Sequence, residues 1–435
     1  MTTKFYTLLF VLSICTSYRG QINSTALSNE INAKRTCGTP VLSQQFETYV
    51  QKWINELSIS KKTQNINYTI PVVVHVIHNG EAVGTGLNIS NAQIVSQITV
   101  LNEDFSGSNA DSSSIPTIFK PNFAHCGINF CLAVLDTSGN IMPEQGVDRI
   151  DRSIGGWIAN PYSVGYISDT IKPKTIWNPN KYLNIWCVDI GGGILGYATF
   201  PDSATTGLSG LNYNSNDYDG VAFGPSCFGT IGNLSPNYNK GRTATHEIGH
   251  WLGLRHIWGD GACLTDYCND TPPAQQANYG CMLHPHNIGI CSGNTDGEMF
   301  MDYMDYSNDT CLNMFTEDQK TRMIAILNGS PMRMNLVASN KCDISASIYQ
   351  INKPIYEFTI FPNPNDGEFI INSELTNIEN ISVRLYNIMG TEIKHFNNID
   401  GYPFQINLKD LPNGCYTINV SCNGNNMIKK LIIVK

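Results

Sequence analysis

The sequence predicts an α+β protein in two folded modules, a mixed strand-and-helix domain over residues 63–342 and a small all-β sandwich over 355–435. Three observations carry this. Ile70-Pro-Val-Val-Val-His-Val-Ile77 is the unbroken apolar run of a buried strand. Ser90-Asn-Ala-Gln-Ile-Val-Ser-Gln-Ile-Thr-Val-Leu101 has apolar residues at helical spacing behind Ser90, a residue suited to cap a helix. Beyond Phe358 only short β-rich runs remain: Phe358–Phe361, Glu368–Ile371, Ile381–Tyr386, Cys415–Val420 and Leu431–Val434. Turn signals such as Pro362-Asn-Pro-Asn-Asp-Gly367 and Pro412-Asn-Gly414 divide them, as in a sandwich.

Within the first module, Tyr182–Ile190 reads as a second buried strand running into Gly191-Gly192-Gly193. Leu195-Gly196-Tyr197-Ala198-Thr199-Phe200-Pro201 follows as an exposed strand whose terminal proline suits a sheet edge. Ahead of the domain, residues 21–62 are polar and end in the dibasic Lys61-Lys62.

Composition narrows the function classes. Against 36 Asp+Glu there are 27 Lys+Arg, a net charge of −9, which leaves no electrostatic footprint for nucleic acid or an anionic membrane. Charged residues make up 14%, against the roughly 25% of an average soluble protein. The 42% hydrophobic content, with 17 Phe, 20 Tyr and 6 Trp, excludes wholesale disorder. Lys4, the apolar run Tyr6–Cys15 and the small or polar residues to Gly20 read as a secretory signal peptide over 1–20. No later run reaches the ~18 apolar residues of a transmembrane segment, so the expected product is exported.

Cysteine usage fits that compartment. Of 14 cysteines, Cys15 leaves with the leader, and the odd remainder points to one thiol without an internal partner. Cys37 stands alone near the N-terminus, and the other 12 suffice for six bridges.

The chemistry is concentrated in Thr243-Ala-Thr-His246-Glu247-Ile-Gly-His250-Trp-Leu-Gly253-Leu-Arg-His256. On a helix, His246 and His250 lie one turn apart and present two imidazoles to one ion. Glu247 then flanks the ion, placed to take a proton from water. Gly253 can adopt the left-handed conformation that ends the helix and returns His256 as a third ligand. Three nitrogens with one open position make a catalytic zinc site. His75 and His78 read as packing or hydrogen-bonded residues, and His284-Pro-His286 as a surface loop.

This segment resembles the metzincin zinc signature, and Asp302-Tyr-Met304-Asp-Tyr306 resembles the methionine turn that accompanies it. Asn239-Lys-Gly-Arg-Thr-Ala-Thr-His-Glu, Asp270-Thr-Pro272 and Met304-Asp-Tyr-Ser-Asn-Asp-Thr-Cys311 narrow the resemblance to the pappalysin (M43) branch, cytophagalysin-like, from about Ile70 to Asn328. It implies a mostly parallel, twisted mixed sheet beside the zinc helix and a secreted endopeptidase that cleaves proteins or peptides. Met304 would be an apolar floor under the zinc, and Tyr306 would stabilise the oxyanion. The strand with Leu195, Gly196, Tyr197 and Ala198 would pair antiparallel with substrate. Members that cut before Arg or Lys carry an acid just before the methionine-turn cysteine; here Thr310 holds that place, beside Asp309. The same resemblance pairs Cys263 with Cys291 and Cys281 with Cys311, leaving Cys268 for a distant partner, and suggests structural calcium at Asp266, Asp270 and Thr271.

Lys34-Arg-Thr-Cys37-Gly-Thr-Pro40 resembles the cysteine switch of pappalysin precursors, which makes 21–62 a propeptide and Cys37 a zinc ligand in the latent form. A disulfide from Cys37 to the domain is the alternative. The C-terminal module resembles a type A sorting domain of the type IX secretion route through Phe361-Pro-Asn-Pro364, Leu385-Tyr-Asn-Ile-Met-Gly390 and Leu411-Pro-Asn-Gly-Cys-Tyr416. That implies the type IX machinery as partner and export across the outer membrane, the product released or held at the cell surface. The alternative to an enzyme is a surface adhesin that keeps a zinc fold without turnover.

Overall fold

A computed structural model describes residues 35–40, 44–60, 67–201, 217–343, 358–373, 381–387, 391–397, 403–422 and 425–435. The leader expected over 1–20 lies outside them. The chain divides into two compact units, Met1–Ile348 and Tyr349–Lys435.

The first unit is organised on β1 (Tyr68–His78), a run of β-branched residues buried at every position but Thr69. A strand with no polar alternation must be covered on both faces and flanked by other strands. β2 (Ile128–Leu132) and β3 (Val147–Asp151) pair with it in succession, and β4 (Leu183–Cys187) pairs along its other edge, all parallel. β5 (Gly196–Ala198) and β6 (Val221–Phe223) complete the sheet in the order β2-β1-β4-β6-β5. β6 runs parallel to β4, and β5 closes the edge antiparallel to β6.

Four longer helices accompany this sheet among the described residues, beside the short helical segments Val164–Tyr166 and Lys172–Thr175. α1 (Gln44–Ser60) lies in the segment that reads as a polar propeptide, where polar residues dilute its apolar positions. α2 (Asn91–Ser106) starts at Ser90, whose Oγ accepts the Gln93 N–H at 3.1 Å, and ends at Gly107 with φ 66°. α3 (Arg242–Trp251) carries the His-Glu-x-x-His run and is buried throughout. α4 (Glu317–Gly329) opens with a capping box between Thr316 and Gln319.

Two expectations need correction. Leu195–Pro201 is not an exposed strand. Only Gly196–Ala198 pairs, and all three residues are buried: Ala198 packs with Val221 and Phe223, Tyr197 with Trp186 and Ala222, and residues 36–38 lie along the open edge. Gly38 N–H donates to Gly196 O at 3.0 Å, Leu195 N–H donates to Thr36 O at 3.2 Å, and Cys37 is paired parallel to Gly196. The cysteines do not form six bridges either. Among the described residues the disulfides are Cys131–Cys342, Cys263–Cys291 and Cys281–Cys311. Cys268 has no distant disulfide partner; with Cys126, Cys187 and Cys227 it is a buried free thiol, packed as a small apolar side chain.

The second unit is all antiparallel. Its strands are β7 (Phe358–Phe361), β8 (Glu368–Ser373), β9 (Ser382–Tyr386), β10 (Glu392–Phe396), β11 (Phe404–Asn407), β12 (Gly414–Cys422) and β13 (Asn425–Ile433). They form the sheets β10-β9-β12-β13 and β11-β8-β7, which share a core that includes Phe369, Ile371, Val383, Leu385, Ile418 and Leu431. β10 and β11 are additional to the strands expected; Glu392-Ile-Lys-His-Phe396 has too few apolar residues to read as a strand alone.

Candidate metal centre and active-site cleft

α3 places His246 and His250 on one face, and Gly253 brings His256 back beside them. Gly253 has φ 85°, and its N–H donates to His250 O at 2.8 Å, ending the helix tightly. A β-carbon at Gly253 would also lie 2.9 Å from Ile326 Cγ1.

Each imidazole is oriented through Nδ1. His246 donates to Tyr303 O at 2.7 Å, His250 to Leu254 O at 2.8 Å, and His256 to the Asp260 carboxylate at 2.5 Å. Acceptors at all three Nδ1 atoms leave each neutral ring with a bare lone pair on Nε2. Those lone pairs converge: His250 Nε2 lies 3.1 Å from His246 Nε2 and 3.0 Å from His256 Nε2. The contacts have hydrogen-bond length but no proton to share. Burial, then the neighbouring rings, holds His246 well below the ordinary histidine range and lowers His250 to about 3. Three neutral nitrogens in mutual repulsion are a site that a cation stabilises, and their chemistry fits zinc.

Cys37 Sγ completes the cluster; the four donor atoms all lie within 4.8 Å of one another. Its thiol donates to Glu247 Oε2 at 3.3 Å, and burial, with the nearby Glu247 charge, raises its pKa. The Thr39 hydroxyl donates to the same Glu247 oxygen at 2.9 Å and accepts the Ala198 N–H at 2.9 Å. Burial raises the Glu247 carboxyl to about 7. Tyr306 stands beside the histidines, its ring 5.1 Å from that of His256, and its hydroxyl accepts the Cys37 N–H at 3.3 Å. Trp258 stacks on His256 at 4.3 Å and meets Tyr306 edge-on at 4.9 Å.

The floor is Met304, fully buried beneath α3. A β-carbon at Gly249 would meet Met304 Sδ at 2.5 Å, so the middle of the zinc motif needs glycine. Asp104 on α2 ties the parts together: it accepts from Thr245 at 2.7 Å, from the Tyr303 hydroxyl at 2.8 Å and from Arg242.

Arg35 is buried against the start of α3, beside Thr243 and Asp309. Its Nη2 lies 2.6 Å from Asp309 Oδ1, and the guanidinium sits 5.3 Å from the centre of the Tyr238 ring. The Lys240 and Arg242 backbone N–H groups hold Asp309 Oδ2 at 2.9 and 3.1 Å. The buried acid paired with Arg35 is Asp309; Thr310 is exposed beside the Cys281–Cys311 bridge.

Asp266 and Thr271 are in contact at 2.8–2.9 Å, and Asp270 has other partners. Asp266 accepts from Thr271 Oγ1 and the Cys268 N–H, whereas Asp270 accepts from Thr316 Oγ1 and the Asp318 N–H. The other histidines do not converge: His75 is held by Asp148 and Asn184, His284 by Asp296 O and His286 by Asn278.

Comparison with known proteins places this geometry. Residues 165–328 match the Peptidase M43 family model, described as pregnancy-associated plasma protein-A, and 359–434 match a secretion-system C-terminal sorting domain. An extracellular metalloprotease of Colletotrichum graminicola is 30% identical over 309 residues, spanning 69% of this chain and 93% of its own length. The chain belongs to the pappalysin (M43) family. Mature mirolysin of Tannerella forsythia, solved with a cleaved peptide, is 38% identical with a TM-score of 0.54, over 62% of this chain and 96% of that one. A promirolysin mutant of the same organism is 35% identical with a TM-score of 0.57, over 70% and 97%. This pappalysin is a secreted zinc-dependent endopeptidase made as a latent precursor.

Several residues of the site carry no isolated sequence signal. Arg35 and Thr39 flank Cys37 within the switch segment but show a role only once that segment lies in the cleft. Asp260, four residues after His256, could have been read as its carboxylate partner. Gly249→Ala should cost about 1–3 kcal/mol through the clash with Met304. A lowered unfolding temperature together with substoichiometric zinc by elemental analysis would register it.

Proposed function

We propose that His246, His250 and His256 hold the catalytic zinc, that Glu247 is the general base and acid, and that Tyr306 stabilises the oxyanion. The convergence of three Nε2 atoms and a prosegment thiol within 4.8 Å, beside a buried Glu247, carries this reading. When bound, zinc supplies Lewis-acid polarisation of the peptide carbonyl and makes water a stronger nucleophile at neutral pH. Glu247 Oε2 takes the proton of the attacking water as oxygen bonds to the carbonyl carbon, then passes it to the departing amine nitrogen as the C–N bond breaks. The Tyr306 hydroxyl donates to the carbonyl oxygen as charge grows there. Gly196 O and Ala198 N–H, bonded here by Gly38 and Thr39, pair with the substrate backbone.

Asp309 selects a basic side chain just after the cut bond. Arg35 supports this, since a guanidinium already fills the pocket with an aromatic face above it. Latency acts at three points: Cys37 would join the three histidines in holding the zinc, Thr39 occupies Glu247 and the rim strand, and Arg35 fills the specificity pocket. The segment runs parallel to β5, opposite to an antiparallel substrate, so its own peptide bonds are presented backwards. A signal peptide over 1–20 and the sorting module direct the chain through the type IX route.

Four outcomes test the reading. Glu247→Gln should lower kcat by about 10²–10⁴-fold while zinc stays bound by elemental analysis; full activity would remove Glu247 from the mechanism. Asp309→Asn should lower kcat/KM on peptides with Arg after the cut by roughly 10–150-fold, the ~1.5–3 kcal/mol of a charged hydrogen bond, and leave neutral peptides unchanged. In the uncut precursor, Cys37→Ala should release activity on a fluorogenic peptide. Adding Thr39→Val should raise it about tenfold further if the hydroxyl is a separate latch.

A further inference from the structure

α1 lies upstream of Lys61-Lys62, in the segment expected to leave on maturation, yet it is packed like a core helix. Phe46 and Val50 are fully buried against Phe200 and Ile326, with Trp53 and Ile54 alongside. Those positions recur at i, i+4 and i+7/i+8, one stripe of a helix. Trp53 fits against Gly329 so closely that a β-carbon there would meet its ring at 2.3 Å. Glu47 is 2% exposed and takes three charged hydrogen bonds of 2.7 Å, two from Arg322 and one from Arg255 Nε. Tyr267 covers both guanidinium groups, and its hydroxyl donates to Gln44 at 2.7 Å.

Removal of α1 takes the Glu47 carboxylate from between two buried guanidinium groups and opens the apolar groove around them. Such a groove favours a helix that returns a carboxylate to the arginines with aromatic and aliphatic residues beside it. The helix that meets this description in shape and charge is α1 itself. Arg255 also lies 3.6 Å from Asp260, whose other oxygen orients His256, so the groove adjoins the metal centre.

We propose that the α1 groove persists as a docking surface on the mature enzyme, and that the excised prosegment, residues 35–60, rebinds there and inhibits in trans. α1 supplies the affinity, Glu47 is its hot spot, and residues 35–40 supply the block. The inhibitory half rests on the cleft reading given above.

The test uses mature enzyme whose N-terminus is established by sequencing, with four synthetic peptides. The 35–60 peptide should inhibit, and its Glu47→Gln form should do so at least about tenfold more weakly. Fluorescein-labelled 44–60 should bind without inhibiting and be displaced by unlabelled 35–60. The 35–43 peptide should inhibit more weakly than 35–60. Equal inhibition by the Glu47→Gln form, no binding of 44–60, or a mature N-terminus that retains α1 would overturn the anchor. Binding of 35–60 without inhibition would overturn the proposal through the cleft reading beneath it.

Discussion

Three imidazole lone pairs are held face to face in a buried pocket, and the rest of the catalytic unit serves that arrangement. Its cost is electrostatic: neutral nitrogens at 3.0–3.1 Å repel unless a cation lies among them. The fold resists relaxation by tethering each ring at its far nitrogen to a different element. Tyr303 of the methionine turn holds His246, the loop after α3 holds His250, and Asp260 holds His256. Asp104 then joins α2, α3 and the methionine turn through one carboxylate, so the ligands cannot drift apart independently. Burial lifts that carboxyl to about 6, while its hydrogen bonds and Arg242 act to keep it charged.

The segment Arg35–Thr39 meets the same geometry. It answers each feature of the cleft with one of its own groups: a thiol at the histidines, a hydroxyl at Glu247 and a guanidinium at Asp309. These contacts fall on Arg35, Cys37 and Thr39, because an extended segment presents every second side chain on the same side. The edge strand β5 fixes their register through its backbone.

Much of this was legible in the chain itself. The spacing of His246, Glu247, His250, Gly253 and His256 is a local property of one helix and one turn, so it could be read without tertiary information. The same holds for β1, whose apolar run admits no other placement, and for Ser90, which caps α2 by a bond three residues long. The sorting module was visible as short strands between turn signals, although β10 was too polar and β11, at four residues, too short to stand out.

What only the tertiary structure decided are the pairings that span hundreds of residues. Asp309 rather than Thr310 meets Arg35, because the Cys281–Cys311 bridge lies on the exposed side and two backbone N–H groups of the α3 entry face the other. Glu47 meets Arg322 across 275 positions, and Arg35 meets Asp309 across 274. Nothing in the local sequence around Glu47 distinguishes a buried charge from a solvated one on a helix. The sequence determines which groups can carry the chemistry, because ligand spacing is set by the helical repeat. Which charges meet is decided only when the elements pack, since burial and long-range proximity exist only in three dimensions.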